Sequence, residues 1–155
     1  MGIRQLEFRC IGMKDGERFP LENTGRGRDI SPKFIIDNLS LQAKSLIITL
    51  EDVSHPIKNF THWVIWNIPA MDNIPAAIAS GKVVTDLNGA LQGMAYGIHR
   101  YAGPKPPKGT SHKYRFSIYA LDEKLNISPF STKKRVLSKA KSHILQQGSI
   151  YGYFE

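Results

Sequence analysis

Three short stretches gather the side chains best able to do chemistry, and each abuts a run of apolar residues. They are Glu51-Asp52-Val53-Ser54-His55-Pro56, Thr61-His62-Trp63, and residues 103–114 (GPKPPKGTSHKY). If the apolar runs near 50, 63 and 115 are neighbouring strands of one sheet, their mouths bring Asp52, His62, His112 and Tyr114 around one cleft. One carboxylate holding both imidazoles favours their protonated rings, which donate from both nitrogens, and a phenol adds another donor. Such a set suits a small oxyanion such as phosphate. Prolines nearby hold the rim of the cleft at fixed φ.

Other chemistries compete for the same residues. Asp52 and the two histidines could act as general acid and base on a phosphate or acyl ester, using water, because no activated nucleophile is visible. His55, His62, His112 and Asp52 also contain a two-histidine, one-carboxylate metal set, but no helical HxxxH or paired cysteine supports it, so no metal and no cofactor is expected. A GxSxG elbow is absent, and Cys10, on an expected strand with no histidine close in sequence, reads as a buried inert thiol. Residues 103–109 lack the GxxxxGK[ST] order of a phosphate-cradling loop. The expected protein is a binding module and not an enzyme, with hydrolysis of a phosphate or acyl ester by the Asp52 and histidine cleft as the alternative.

The elements that must position these residues are mostly strands. Leu6, Phe8 and Cys10 alternate with Glu7 and Arg9, the period of a half-buried strand. Residues 20–32 (PLENTGRGRDISP) read as a long surface connection. SLIITL at 45–50 and WVIWNI at 63–68, the latter closed by Pro69, read as core strands. From Pro69 to Gly109 recurrent glycines predict a long, loop-rich segment. KYRFSIYAL at 113–121 alternates cleanly and reads as another strand. A late helix is expected from an N-cap at Ser131 through Val136, Ala140, His143, Ile144 and Gln147 to a C-cap at Gly148. Lys133, Lys134, Arg135, Lys139 and Lys141 form its solvated face, and His143 reads as a helix-end histidine. The pattern predicts a β-sandwich with one helix packed at an end.

The chain of 155 residues and 17.4 kDa, 41% hydrophobic and 22% charged, has the size and composition of one globular domain over 1–155. No run reaches the ~20 apolar residues a membrane helix needs, so no stable membrane insertion is expected. The charged start MGIRQLEFRC has no signal-peptide core, Leu6 spoils a myristoylation signal at Gly2, and Cys10 alone makes no internal disulfide; a cytoplasmic location is expected. Residues 99–155 hold eleven Lys and Arg against three Asp and Glu, while the first 98 balance ten against ten, so the net charge of +8 lies in the last third. That asymmetry favours an anionic partner and keeps open an electrostatic binder of anionic lipid or nucleic acid. Nucleic acid is the weaker of the two, because no aromatic residues interleave the basic run.

Several segments together resemble the phosphatidylethanolamine-binding proteins, in the bacterial and archaeal branch similar to Raf kinase inhibitor protein. They are SPKF at 31–34, KSLIITLEDVSHP at 44–56, THWVIWNIPA at 61–70, GPKPPKGTSHKYRFSIYALD at 103–122 and SHILQQGSIYGYFE at 142–155. By position, Asp52 matches the first acid of the family's Asp-Pro-Asp-x-Pro motif and Pro56 its last proline. His62 matches the histidine of the His-Trp block, and His112 with Tyr114 match the His-x-Tyr block. Gly103, Pro106 and Pro107 match the pocket's glycine-proline wall. The sequence departs from the pattern at Val53 and Ser54, which replace a proline and an acid, at His55, which adds a donor, and at Ile36, where many members carry tryptophan. Residues 93–102 match poorly.

The resemblance implies a Greek-key β-sandwich with a small cavity for phosphate or a phosphoethanolamine head group, lined by Asp52, Pro56, His62, Gly103, Pro106, Pro107, His112 and Tyr114. It also implies modulation of a protein partner, a kinase or a protease, and leaves a homodimer open.

Overall fold

The structure is a computed structural model that describes residues 2–155. Eleven strands, one α-helix and three single-turn 3-10 segments make up its regular elements. In chain order the strands are β1 (Arg4–Gln5), β2 (Phe8–Cys10), β3 (Glu17–Arg18), β4 (Phe34–Ile36), β5 (Ser45–Asp52), β6 (Phe60–Pro69), β7 (Asn73–Ile74), β8 (Val83–Val84), β9 (Ala90–Gln92), β10 (His112–Leu121) and β11 (Ile144–Phe154). The helix α1 (Lys133–Ala140) lies between β10 and β11. The large sheet runs β1-β11-β10-β5-β6-β9-β8, with β3 also paired to β11, and the small one runs β2-β4-β7. After β9 the chain returns to lay β10 against β5 instead of continuing beside β8, which gives the sandwich its crossover.

Both faces of the large sheet are covered, which is why every residue of β5 is buried. Leu46, Ile48 and Leu50 join Trp63, Ile65, Phe116 and Ile118 in the core under the small sheet. Ile47 points the other way, into a second core with Val64, Trp66, Val136 and Ala140 beneath α1. In β6 the spacing breaks: Ile65 pairs with Ile48 but Ile68 with Leu46, and between them Asn67 takes a φ of 58°. That bulge returns Ile68 to the inner core, while the Asn67 side chain exchanges two 2.8 Å bonds with the Leu125 backbone.

Three sequence expectations give way here. The helix ends at Ala140, a 3-10 turn covers Lys141–His143, and Ile144–Gln147 belong to β11. Helical periodicity across 136–147 yields to ten register pairs between β10 and β11, including Ala120 with Gln146 and Ile118 with Gly148. Gly148 is not a C-cap but a close-approach glycine, since a Cβ there would run into the Leu6 carbonyl oxygen. The N-cap is Thr132, which accepts from the Arg135 N–H, and Ser131 is buried beside it. Residues 20–32 are not merely a surface connection, because Asn23, Thr24 and Ser31 are buried and Leu21–Asn23 form a 3-10 turn.

Candidate functional site

Register places the first two residues of the site. Asp52, the last residue of β5, pairs with Tyr114 near the start of β10, so the two lie side by side at the end of the inner core. On the other flank of β5, Leu50 pairs with Trp63 and Glu51 with Thr61, which makes His62 the extra residue of a β-bulge. The bulge turns His62 toward Tyr114, ring centroids 5.4 Å apart, while its neighbour Trp63 stays in the core. His112 opens β10 two residues before Tyr114, and its Nδ1 donates to Asp52 Oδ2 at 2.7 Å. These four residues line one cavity of about 140 Å3, together with His55, Phe60, Tyr96, Lys105, Pro106 and Pro107.

The carboxylate is held from two sides. Asp52 Oδ1 accepts from the Ser54 backbone N–H at 2.9 Å, and Ser54 Oγ in turn accepts from the Lys113 N–H at 2.8 Å. The bond that the departure from the family motif adds is at Val53, whose backbone N–H donates to the Lys113 carbonyl at 2.9 Å, which a proline there could not do. The expectation that one carboxylate holds both imidazoles is corrected. Of the two rings Asp52 accepts only from His112, and His62 Nδ1 donates to the Ala102 carbonyl at 2.9 Å. Burial draws the His62 pKa below its ordinary value of 6.5, and the Ala102 carbonyl, Asp52 and Gly103 only partly offset that. Near neutral pH His62 is therefore uncharged, with its proton on Nδ1 and a lone pair on Nε2. Burial first, then Asp52, raises the Tyr114 pKa, so its hydroxyl stays a donor.

Aromatic rings form one side of the cavity. His55 stacks on Phe60 at 4.0 Å, and Tyr96 lies 5.7 Å from Phe60 and 5.0 Å from the His62 ring. The other side is the proline loop, which is fastened to residues 23–29. Pro104 O accepts from the Gly25 N–H at 2.8 Å, Pro106 O from Arg26 Nη2 at 2.7 Å, and Asp29 Oδ1 from the Gly103 N–H at 2.7 Å. Asp29 adopts a φ of 56° to do so, and its other oxygen meets Arg100 at 3.3 Å.

Asp52, His62, Pro106, Pro107, His112 and Tyr114 thus come together as their sequence positions imply. Two expected lining residues do not. Pro56 is exposed and outside the cavity, because the turn after Asp52 carries it away from the mouth. Gly103 is buried behind the wall, where a Cβ would collide with the Asn23 carbonyl oxygen. Phe60, Tyr96, Lys105 and the Gly25–Asp29 cradle escape a reading by motif. Only the opposite charges crowded among the glycines of TGRGRD hint at the cradle, and Tyr96, on an irregular glycine-bounded stretch, carries no periodic signal.

Cys10 is buried on β2 and burial pushes its thiol up to about 12, as an inert side chain requires. His143 bridges Asp122 at 2.9 Å and Glu123 at 3.1 Å beyond the helix end. Among the described residues no three His, Cys, Asp or Glu side chains are arranged to hold a metal ion. No helix among them is long and apolar enough to cross a membrane.

The sequence model of the phosphatidylethanolamine-binding protein family matches residues 11–155. A UPF0098 protein of Methanothermobacter thermautotrophicus is 36% identical over 155 residues, covering 96% of this chain and 98% of its own. A UPF0098 protein of Pyrococcus abyssi is 37% identical over 141 residues, covering 90% and 79%. Among solved structures, Escherichia coli YbcL, described as a member of the mammalian PEBP family, superposes with a TM-score of 0.85 at 26% identity, covering 97% of this chain and 98% of its own.

Proposed function

Because the chain belongs to the phosphatidylethanolamine-binding protein family, we propose that its cavity binds a phosphate-like anion or a phosphorylated head group, and that the protein acts by binding and not by turnover. The observation that carries this reading is the Asp52–His112 pair at 2.7 Å, inside a cavity of about 140 Å3 that also holds His62, Tyr114 and Lys105. With Nδ1 committed to Asp52, His112 offers Nε2, while Tyr114 offers a hydroxyl and Lys105 a charge. His62 joins as a donor once an anion draws a proton onto Nε2, so anion binding is coupled to proton uptake.

The test is a titration of phosphate and O-phosphoethanolamine followed by histidine NMR in wild type and Asp52→Asn. Both rings should shift together and saturably, and the variant should lose the His112 response. If neither ring moves while the resonances of α1 do, the reading fails and binding belongs to the basic surface. The family kinship also supports modulation of a protein partner, a kinase or a protease; a partner retained by wild type and equally by Asp52→Asn would detach that role from the cavity.

A second reading is favoured by the same pair. A histidine oriented by a buried carboxylate is the arrangement of a general base, which could activate water against a phosphate or acyl ester. Nitrophenyl esters and phosphates screened with wild type and His112→Ala decide it: equal rates for both proteins remove hydrolysis from the cavity.

A further inference from the structure

Beside the cavity runs a groove of about 730 Å3 that shares Phe60 and Tyr96 with it. Half-buried Phe60, Met94 and Leu137 give it an apolar lining, and exposed Lys58 and Lys134 reach it from the loop before β6 and from α1. No acidic residue lines it among those described. The charge is placed against the helix's own electrostatics. The first turn of α1 carries Lys133, Lys134 and Arg135 and no acid, where the positive end of the helix dipole disfavours cations. Lys133 is neutralised within the fold by buried Glu51, whereas Lys58 and Lys134 meet no carboxylate among the described residues. A concave apolar strip flanked by uncompensated lysines is complementary to an anionic ligand that also carries an apolar group.

We propose that this groove docks an extended acidic segment of a protein partner, with one apolar side chain seated against Phe60, Met94 and Leu137 and carboxylates facing Lys58 and Lys134. A single lipid would bury the same apolar surface but carries its anionic group at one end only, whereas Lys58 and Lys134 reach the groove from two separate elements. A flat bilayer needs apolar side chains that protrude, and here Met94 and Leu137 are recessed. Tyr96 is the one strongly exposed aromatic ring of the lining, too few for the successive stacking that single-stranded nucleic acid uses. The inference goes beyond the anion cavity: it gives the partner a surface and requires no ligand beside Asp52 and His112.

The probes are three fluorescein-labelled hexapeptides, EELFEE, QQLFQQ and KKLFKK, followed by fluorescence anisotropy at low salt, with methyl NMR of Met94 and Leu137. Wild type should bind EELFEE roughly tenfold more tightly than QQLFQQ, because opposed charges at exposed rims act most strongly at low ionic strength. The Met94 and Leu137 methyls should move with EELFEE. The double variant Lys58→Glu/Lys134→Glu, both surface changes, should lose that preference and bind KKLFKK instead. Saturating phosphate should leave EELFEE bound, so that a silent cavity and a silent groove are told apart. Equal EELFEE affinity in wild type and double variant, unmoved methyls, or binding only of phosphatidylglycerol vesicles would each overturn the proposal.

Discussion

His62 sits uncharged in a cavity for which we propose an anionic ligand, and that tension makes it the residue to titrate. Its pKa is lowered by burial below 6.5, so its contribution to stability is complete above about pH 6.5 and is lost as pH falls through the lowered value, where folding must give up a proton the unfolded chain keeps. The urea midpoint of wild type should therefore drop between pH 7.5 and 5 by more than that of His62→Gln. Ligand binding should run the opposite way, because an anion stabilises the protonated ring. Sulfate, whose own charge is constant over this range, should bind more tightly as pH falls from 7.5 to 6, and His62→Gln should flatten the dependence, as calorimetry can check. The participation of His62 was legible in the His-Trp block. Its pairing with Ala102 was not, because forty residues separate the partners and no local pattern links them.

At the scale of elements, the site depends on one bulge and one borrowed wall. The strands around the cavity were readable because β5 is an unbroken apolar, β-branched run and β10 alternates openly: Tyr114, Phe116, Ile118 and Ala120 point to one core, as alternation demands. The proline loop has no such periodicity and takes its shape from the Gly25–Asp29 cradle. Arg26→Ala should leave the Pro106 carbonyl without its partner, cost about 1 kcal/mol, and raise hydrogen exchange around residues 108–110 while β5 stays protected. The misplaced helix end has its own check. As a helix C-cap Gly148→Ala would cost about 1 kcal/mol, but against the Leu6 carbonyl it should destabilise by about 2 to 3 kcal/mol, measured by denaturant unfolding.

At the scale of the whole molecule, the two faces of the large sheet divide the work. The inner face holds the main core and ends in the cavity, while the outer face carries α1 and a buried ion cluster in which Glu51 receives Arg115 at 2.7 Å and is reached by Lys133. Burial pushes the Glu51 pKa up, but Lys133 and Arg115 outweigh it and hold it below its ordinary 4.5. Its contribution is thus present above about pH 4.5 and fades as pH falls through the lowered value. Glu51→Gln should cost about 2 to 3 kcal/mol by thermal or urea unfolding, since it strands Lys133 under α1 while Arg115 keeps partial contact with water. The basic excess of the last third is therefore partly spent inside the fold, and a count of charges overstates what the surface presents.

The sequence by itself determined the strand-rich class, the buried inert thiol, and the place of Asp52, His62, His112 and Tyr114 at the ends of strands, because alternation and the ends of apolar runs are local properties of the chain; that those strands are neighbours was a condition which register met. It also carried the family resemblance in blocks that matched nearly end to end. Only the tertiary structure decided which imidazole the carboxylate holds, that Pro56 and Gly103 stand outside the cavity, that residues 144–147 are strand, and that residues 25–29 fasten the proline loop that forms the far wall. Each of those depends on contacts between distant segments, where register, a bulge or a single carbonyl outweighs local preference.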